Sequence, residues 1–210
     1  MLKRIFLTLL VTAGAACAQT YYVGFLGGFG YAPGLSVTNP AGNATTGLKE
    51  GGVLGAVGGG DTSEYWGGEL RYMYRFSDLK LASGGTEVDF GAHTHIVTGD
   101  ILRYFTPRAS AFRPYVSFGG GVRILVGTGT ESASQPLGEF AALTATRELL
   151  PVGDAGVGVK LKFGNHYNLR LEVRDYIGGA PSKVIAPNAG SKIGGVLNDV
   201  IAMAIISYTW

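Results

Sequence analysis

Glu69, Arg71, Arg75, Arg123, Asp154, Lys160, Lys162, Arg170, Glu172 and Arg174 sit within runs that alternate as β-strands do. Residues two apart in a strand share a face, so within each run these charges line one side. Seven of them are basic and three acidic. Exposed, such a face meets water. Enclosed, it forms a hydrated network of salt bridges between facing strands, because a buried charge needs a partner. Left open along a channel, its basic excess favours small anions.

The other faces of the same runs are apolar. Trp66, Gly68, Leu70, Tyr72, Tyr74 and Phe76 alternate with Gly67, Glu69, Arg71, Met73 and Arg75. A soluble half-buried strand turns its aromatic face inward. A transmembrane barrel reverses this, with rings against lipid and charges in the lumen. Periodicity alone does not choose between them.

Other candidate chemistry is sparse. His93, Thr94 and His95 place two histidines on one strand face, and His166 lies in a short turn. No cysteine or tight carboxylate cluster supplies the further ligands a metal site needs, so these read as polar strand and turn residues. Gly27-Gly28-Phe29-Gly30 and Gly119-Gly120-Gly121 precede no helix and lack a Gly-Lys-Ser/Thr ending, which excludes a phosphate cradle.

The elements that must position these residues begin after an export signal. Residues 1–18 carry Lys3 and Arg4, an apolar run from Ile5 to Val11, and Ala16-Cys17-Ala18. This pattern predicts a cleaved signal peptide and a mature start at Gln19. The apolar run is far short of the ~20 residues of a spanning helix. Cys17 raises the alternative of lipid attachment, although Gly14 stands where lipoprotein processing prefers an aliphatic residue. Losing Lys3 and Arg4 takes the net charge from +2 to 0, so basicity implies no nucleic-acid partner. Cys17 is the only cysteine, so the mature chain must be held by a core or by closed strand pairing. The longest later apolar run, Val200 to Ile206, is strand-sized, which excludes a helical membrane protein.

With 35 glycines in 210 residues and only 15% charged residues, the composition suits closely packed strands and turns. Eight runs are predicted, at about Tyr21–Tyr31, Gly51–Gly59, Trp66–Phe76, His93–Phe105, Pro114–Val126, Asp154–Phe163, Leu169–Tyr176 and Asn198–Trp210. The fourth alternates poorly and leaves the face of Arg103 open. Connections 60–65, 106–113 and 164–168 are short; 32–50, 77–92, 127–153 and 177–197 are long. Strict alternation places the short turns at one end of a closed sheet and the long loops at the other. An even strand number brings both termini to the short-turn end. In the third long connection, Pro136 to Leu150 is the one stretch whose apolar spacing fits a helix, through Leu137, Phe140, Ala141 and Leu149.

Taken together, the signal ending at Ala18, the strand Tyr21 to Tyr31, the segment Arg113-Pro114-Tyr115-Val116-Ser117-Phe118-Gly119-Gly120-Gly121 and the ending Tyr208-Thr209-Trp210 resemble the eight-stranded outer-membrane β-barrel domain of the OmpA and OmpX type. The resemblance spans nearly all of the mature chain and lies in pattern, with no segment diagnostic of one member. It implies an all-β fold: residues 19–210 form an eight-stranded antiparallel transmembrane barrel, exported to the outer membrane after removal of residues 1–18. It also implies that terminal Trp210 is read by the barrel-insertion machinery. Trp66, Phe105, Tyr208 and Trp210 are then expected in the periplasmic aromatic girdle and Tyr31 towards the outer one. No peptidoglycan-binding domain follows Trp210, so no anchoring role is expected.

Some barrels of this type modify lipid A. Nucleophilic catalysis needs Ser, His and an orienting carboxylate within reach. Ser117 and Asp100 are candidates for the lumen side, but no His-x-Ser arrangement appears where a deacylase barrel would present it. No catalytic residue, cofactor or metal is therefore expected. Eight strands enclose a space just wide enough for their own side chains. The expected protein is a monomeric outer-membrane barrel with a charge-filled lumen and a structural or surface-interaction role. Its partners are outer-membrane lipid and, through the loops, an unidentified molecule. The alternatives are a soluble lipocalin-like barrel holding an apolar ligand, a narrow anion-favouring pore, and a lipid-modifying enzyme.

Overall fold

A computed structural model describes residues 20–40 and 42–210. The expected signal peptide over residues 1–18, including Cys17, lies outside the described residues. Eight strands form a closed antiparallel barrel: β1 (Thr20–Tyr31), β4 (Gly51–Asp61), β5 (Trp66–Phe76), β8 (Ala92–Tyr104), β9 (Phe112–Gly127), β11 (Arg147–Phe163), β12 (Tyr167–Gly179) and β15 (Val196–Thr209). Each pairs with its barrel neighbours in sequence, and β1 closes on β15 through Tyr22↔Thr209 to Tyr31↔Val200. The ends are tied by Tyr21 and Trp210, whose backbone N–H groups each donate to the other's carbonyl at 3.2 and 3.0 Å. This is the predicted eight-stranded architecture, with short turns and long connections at opposite ends.

The pleat decides which face is inside. In β5, Glu69, Arg71 and Arg75 are 6%, 1% and 0% exposed, whereas Leu70, Tyr72 and Phe76 are 61%, 44% and 50% exposed. The charges face the lumen and the rings face out, so the soluble lipocalin-like arrangement is overturned. Glycines make the tight curvature fit: a Cβ on Gly121 would lie 1.9 Å from the Val97 carbonyl oxygen.

β11 extends further than expected, from Arg147 instead of Asp154. Pro151 is tolerated because its carbonyl faces β12, 3.0 Å from where a Gly178 Cβ would lie, and pairing to β12 starts only at Val152. Its missing N–H therefore breaks no ladder bond.

The long connections are folded, which sequence reading missed. They supply β2 (Leu35–Asn39), β3 (Gly42–Leu48), β6 (Leu79–Ser83), β7 (Thr86–Phe90), β10 (Ala141–Leu143), β13 (Ile185–Pro187) and β14 (Lys192–Gly194). One sheet has the order β14-β2-β3-β6-β7, and β10 pairs with β13. Their apolar sides, including Leu35, Val37, Leu48, Leu79, Leu81, Phe140, Leu143 and Ile185, form a core continuous with Leu125 and Leu197 of the barrel wall. The connections thus form a cap over the long-loop end.

The helix expected over Pro136 to Leu150 is absent. Leu137 adopts φ 59°, a left-handed conformation that interrupts a helix, and Ala141 and Leu143 alternate inward as β10. Tertiary burial of Phe140, Ala141 and Leu143 outweighs the helical spacing. Leu149 belongs to β11 and faces out.

Two ion contacts tie the cap down. Lys49 bonds Asp89 at 2.7 Å and lies 3.2 Å from Glu87, and both carboxylates raise its pKa. Buried Glu148 accepts backbone N–H bonds from Ser182 at 2.9 Å, Lys183 at 2.8 Å and Val184 at 3.2 Å. Hydrogen bonds to a charged acceptor contribute about 1.5–3 kcal/mol each. Glu148→Ala is expected to release residues 180–186, seen as faster amide exchange there with the barrel strands still protected.

Candidate functional site

The charged faces meet inside the barrel in three groups. Near the short turns, Arg113 on β9 donates to Asp61 at the end of β4 and stacks 3.7 Å from the Tyr104 ring centre. Lys160 Nζ lies 3.7 Å from the same Asp61. Asp61 ends a glycine-rich strand and Arg113 precedes Pro114, so neither stands out by composition. Arg113 nevertheless shares the parity of Arg123 along β9, which was a legible signal.

The central group is the densest. Glu69 meets Arg71 at 2.6 Å, Arg170 at 2.7 Å and Arg174 at 3.3 Å. Glu172 meets Arg71 at 2.9 Å and Arg174 at 2.7 Å. Arg174 also reaches Asp100 at 2.6 Å and Asp154 at 2.8 Å. Tyr22 and Tyr115 donate their hydroxyls to Glu69 at 2.7 Å and to Glu172 at 2.6 Å. These bonds cross from β5 to β12 through the barrel axis, so they fasten opposite walls.

Towards the cap, Arg75 Nε lies 3.1 Å from Asp199 and Arg123 lies 3.9 Å from it. Asp199 was hidden in a strand that is apolar on both faces, though it shares parity with the inward Ile201 and Met203. An apolar cluster separates this pair of arginines from the central group. Along their strands Met73 follows Arg71, Tyr176 follows Arg174, Val152 precedes Asp154 and Ile201 follows Asp199.

Of the ten charges expected in the lumen, nine are buried in these groups. Lys162 is not. It lies exposed on the short-turn rim, its ammonium donating to the Arg108 carbonyl at 2.8 Å. It shares the inward parity of Lys160 but extends past the end of the enclosed lumen.

The expected excess of seven bases over three acids also changes. Arg71, Arg75, Arg113, Arg123, Lys160, Arg170 and Arg174 face Asp61, Glu69, Asp100, Asp154, Glu172 and Asp199. Near balance removes the electrostatic argument for an anion path.

The remaining candidates point elsewhere. Ser117 is buried in the lumen, but His93 and His95 face outward, stacked among Tyr72 and Tyr74, and His166 sits in a turn beside Tyr208. None of them can serve Ser117 as a base. No group of three or more metal-ligating side chains occurs among the described residues. Arg103, whose face was open, lies outside, its guanidinium 4.9 Å from the Tyr65 ring and 5.2 Å from Trp66. Trp66, Phe105, Tyr208 and Trp210 are exposed around the short-turn end, and Tyr31 is exposed at the opposite end.

No family model matches the sequence, and no curated protein sequence matches it. Among solved structures the chain is similar to the crystal structure of Neisserial surface protein A, with TM-score 0.55 and 9% identity over 91% of this chain and 97% of that one. It is also similar to the N-terminal β-barrel domain of Pseudomonas aeruginosa OprF, with TM-score 0.48 and 14% identity over 91% and 97%. The likeness is one of fold. The chain has the eight-stranded outer-membrane β-barrel fold anticipated from its strand pattern and its ends.

Proposed function

We propose that the protein resides in the outer membrane as a small, monomeric, non-conducting barrel with a structural or surface-interaction role, exercised through its folded cap. The observation that carries the reading is the succession of obstacles inside it: the charge groups, the apolar cluster at Met73 and Ile201, and the cap core above. Membrane residence is supported by the wall itself. Phe25, Phe29, Leu54, Leu70, Ile101, Phe118, Val157 and Ile206 are all exposed, a larger apolar surface than a soluble monomer keeps in water. A closed sheet also leaves no backbone group unpaired in hydrocarbon.

The reading assigns no catalytic step. Insertion through the barrel-insertion machinery would use the terminal strand ending at Trp210, and lipid would cover the wall. On the cap, Ser36, Thr38, Asn43, Thr45, Ser83 and Thr86 place hydroxyl and amide groups around an open hollow of about 760 Å³ whose lining also includes Ala44 and Ala82, a mixed surface on which a partner could dock.

Expression of the full chain in a Gram-negative host tests residence. Recovery from detergent-extracted outer membranes is expected, and release as a soluble periplasmic monomer would overturn it. In planar bilayers the purified protein is expected to give no discrete current steps; reproducible anion-selective currents would restore the pore alternative.

A further inference from the structure

The short-turn mouth of the barrel brings together connections that are far apart in sequence. Asp61, Arg108 and Asn165, one from each short turn, line a largely enclosed hollow of about 120 Å³ with Thr20 of β1 and Thr209 of β15. At ~30 Å³ of liquid per water, this is room for roughly four waters or one phosphate-sized group. Lys160 of β11 also lines it, is 2% exposed, and makes no hydrogen bond among the described residues. Its ammonium lies 3.7 Å from Asp61 Oδ2, an oxygen that already accepts from Arg113. One carboxylate therefore faces two buried cations. The Tyr22 and Tyr104 rings, 5.0 and 5.7 Å from Lys160 Nζ, supply no counter-charge.

Two further bases line the same hollow. Lys162, on the face of β11 that Lys160 occupies, donates to the Arg108 carbonyl at 2.8 Å. The Arg108 guanidinium in turn donates to the Asp61 carbonyl at 3.2 Å. Glu64, the acid on the first short turn, accepts the Arg108 N–H at 3.0 Å. Arg108, Arg113, Lys160 and Lys162 thus stand against Asp61 and Glu64, a local excess of base that the nearly balanced lumen above does not share. A buried ammonium without an acceptor is costly, and water relieves the missing hydrogen bond but not the charge.

We infer that this hollow binds a free phosphate-sized oxyanion from the periplasm, held by the Lys160 and Lys162 ammonium groups with Arg108 at the rim. Ammonium groups act on phosphate as point charges, and their attraction is strengthened where protein walls exclude water. The site is blind, because the central charge group closes the lumen above it, so it offers no path across the membrane. It lies inside the mouth, behind the barrel wall, where the acyl chains of a lipid cannot follow a headgroup. Its periplasmic orientation rests on the outer-membrane reading proposed above.

The test titrates inorganic phosphate, at fixed ionic strength, into protein extracted from outer membranes and placed in phosphatidylcholine nanodiscs. Lysine ammonium and backbone amide NMR shifts are followed, and saturable changes are expected at Lys160, Lys162 and Asn165. Lys160→Met is expected to weaken binding about tenfold or more, and Lys162→Ala to weaken it less. Arg103→Ala removes a charge from the outside of the same end and is expected to leave binding unchanged. Heat-modifiable migration on gels checks that each variant is folded; exposed Lys162 keeps the test open if Lys160→Met is not. No saturable shift in wild type, or unchanged affinity in the folded lysine variants, overturns the inference. Equal weakening by Arg103→Ala also overturns it, since surface charge alone would then account for the binding. So does loss of the phosphate-induced shifts in discs containing phosphatidylglycerol, which would mean a site for a lipid headgroup. Failure to fractionate with the outer membrane overturns the parent reading, whereas absent binding in a correctly fractionating protein overturns this inference alone.

Discussion

Glu69→Ala is expected to destabilise the folded barrel by about 3–5 kcal/mol, the cost of removing one partner from a buried charge cluster. Glu69 neutralises Arg71 and Arg170 at 2.6 and 2.7 Å, reaches Arg174 at 3.3 Å, and accepts the Tyr22 hydroxyl at 2.7 Å. Its loss leaves three enclosed guanidiniums sharing Glu172, Asp100 and Asp154. Urea unfolding in lipid vesicles, followed by tryptophan fluorescence, measures the effect. Glu69→Gln keeps the shape and an acceptor oxygen and is expected to fall between wild type and Ala. Lys162→Ala, which touches only the exposed rim, is expected to stay within about 0.5 kcal/mol. A small effect at Glu69 would show that the lumen is wet enough to screen its charges.

The second large effect is expected on the other side of the wall. Val157 is 59% exposed, paired between Val116 and Val173 near the middle of the strands. Val157→Arg is expected to cost about 2–4 kcal/mol in a bilayer, where the charge meets hydrocarbon at mid-depth. In a barrel surrounded by water the same change would be nearly neutral. Vesicle-based folding equilibria compare the variant with Val157→Ile, which is expected to behave as wild type. A neutral Val157→Arg would contradict lipid contact at this depth.

Strand positions were legible because the pleat imposes a period of two that survives in any environment. All eight predicted runs became barrel strands, and β5 matched from Trp66 to Phe76. The inward parity of nine charges followed from that period. Asp199 was not legible because it lies just before Val200 to Ile206, a run apolar on both faces, so composition carried no contrast. The helix expected around Phe140 failed for a different reason. Its spacing satisfied a helix locally, but burial against Ile185 and the barrel mouth favours β10.

By itself, the sequence determined an all-β chain of eight alternating strands, with unequal connections and aromatic ends. These depend on local backbone geometry and side-chain alternation, which each segment carries alone. Tertiary structure decided three further matters: that the aromatic face points outward, that the lumen charges nearly balance across opposite walls, and that the long connections fold into a cap. Each depends on which distant residues meet. Closing β1 onto β15 fixes a single interior, and only then do Glu69 and Arg170, 101 positions apart, become neighbours.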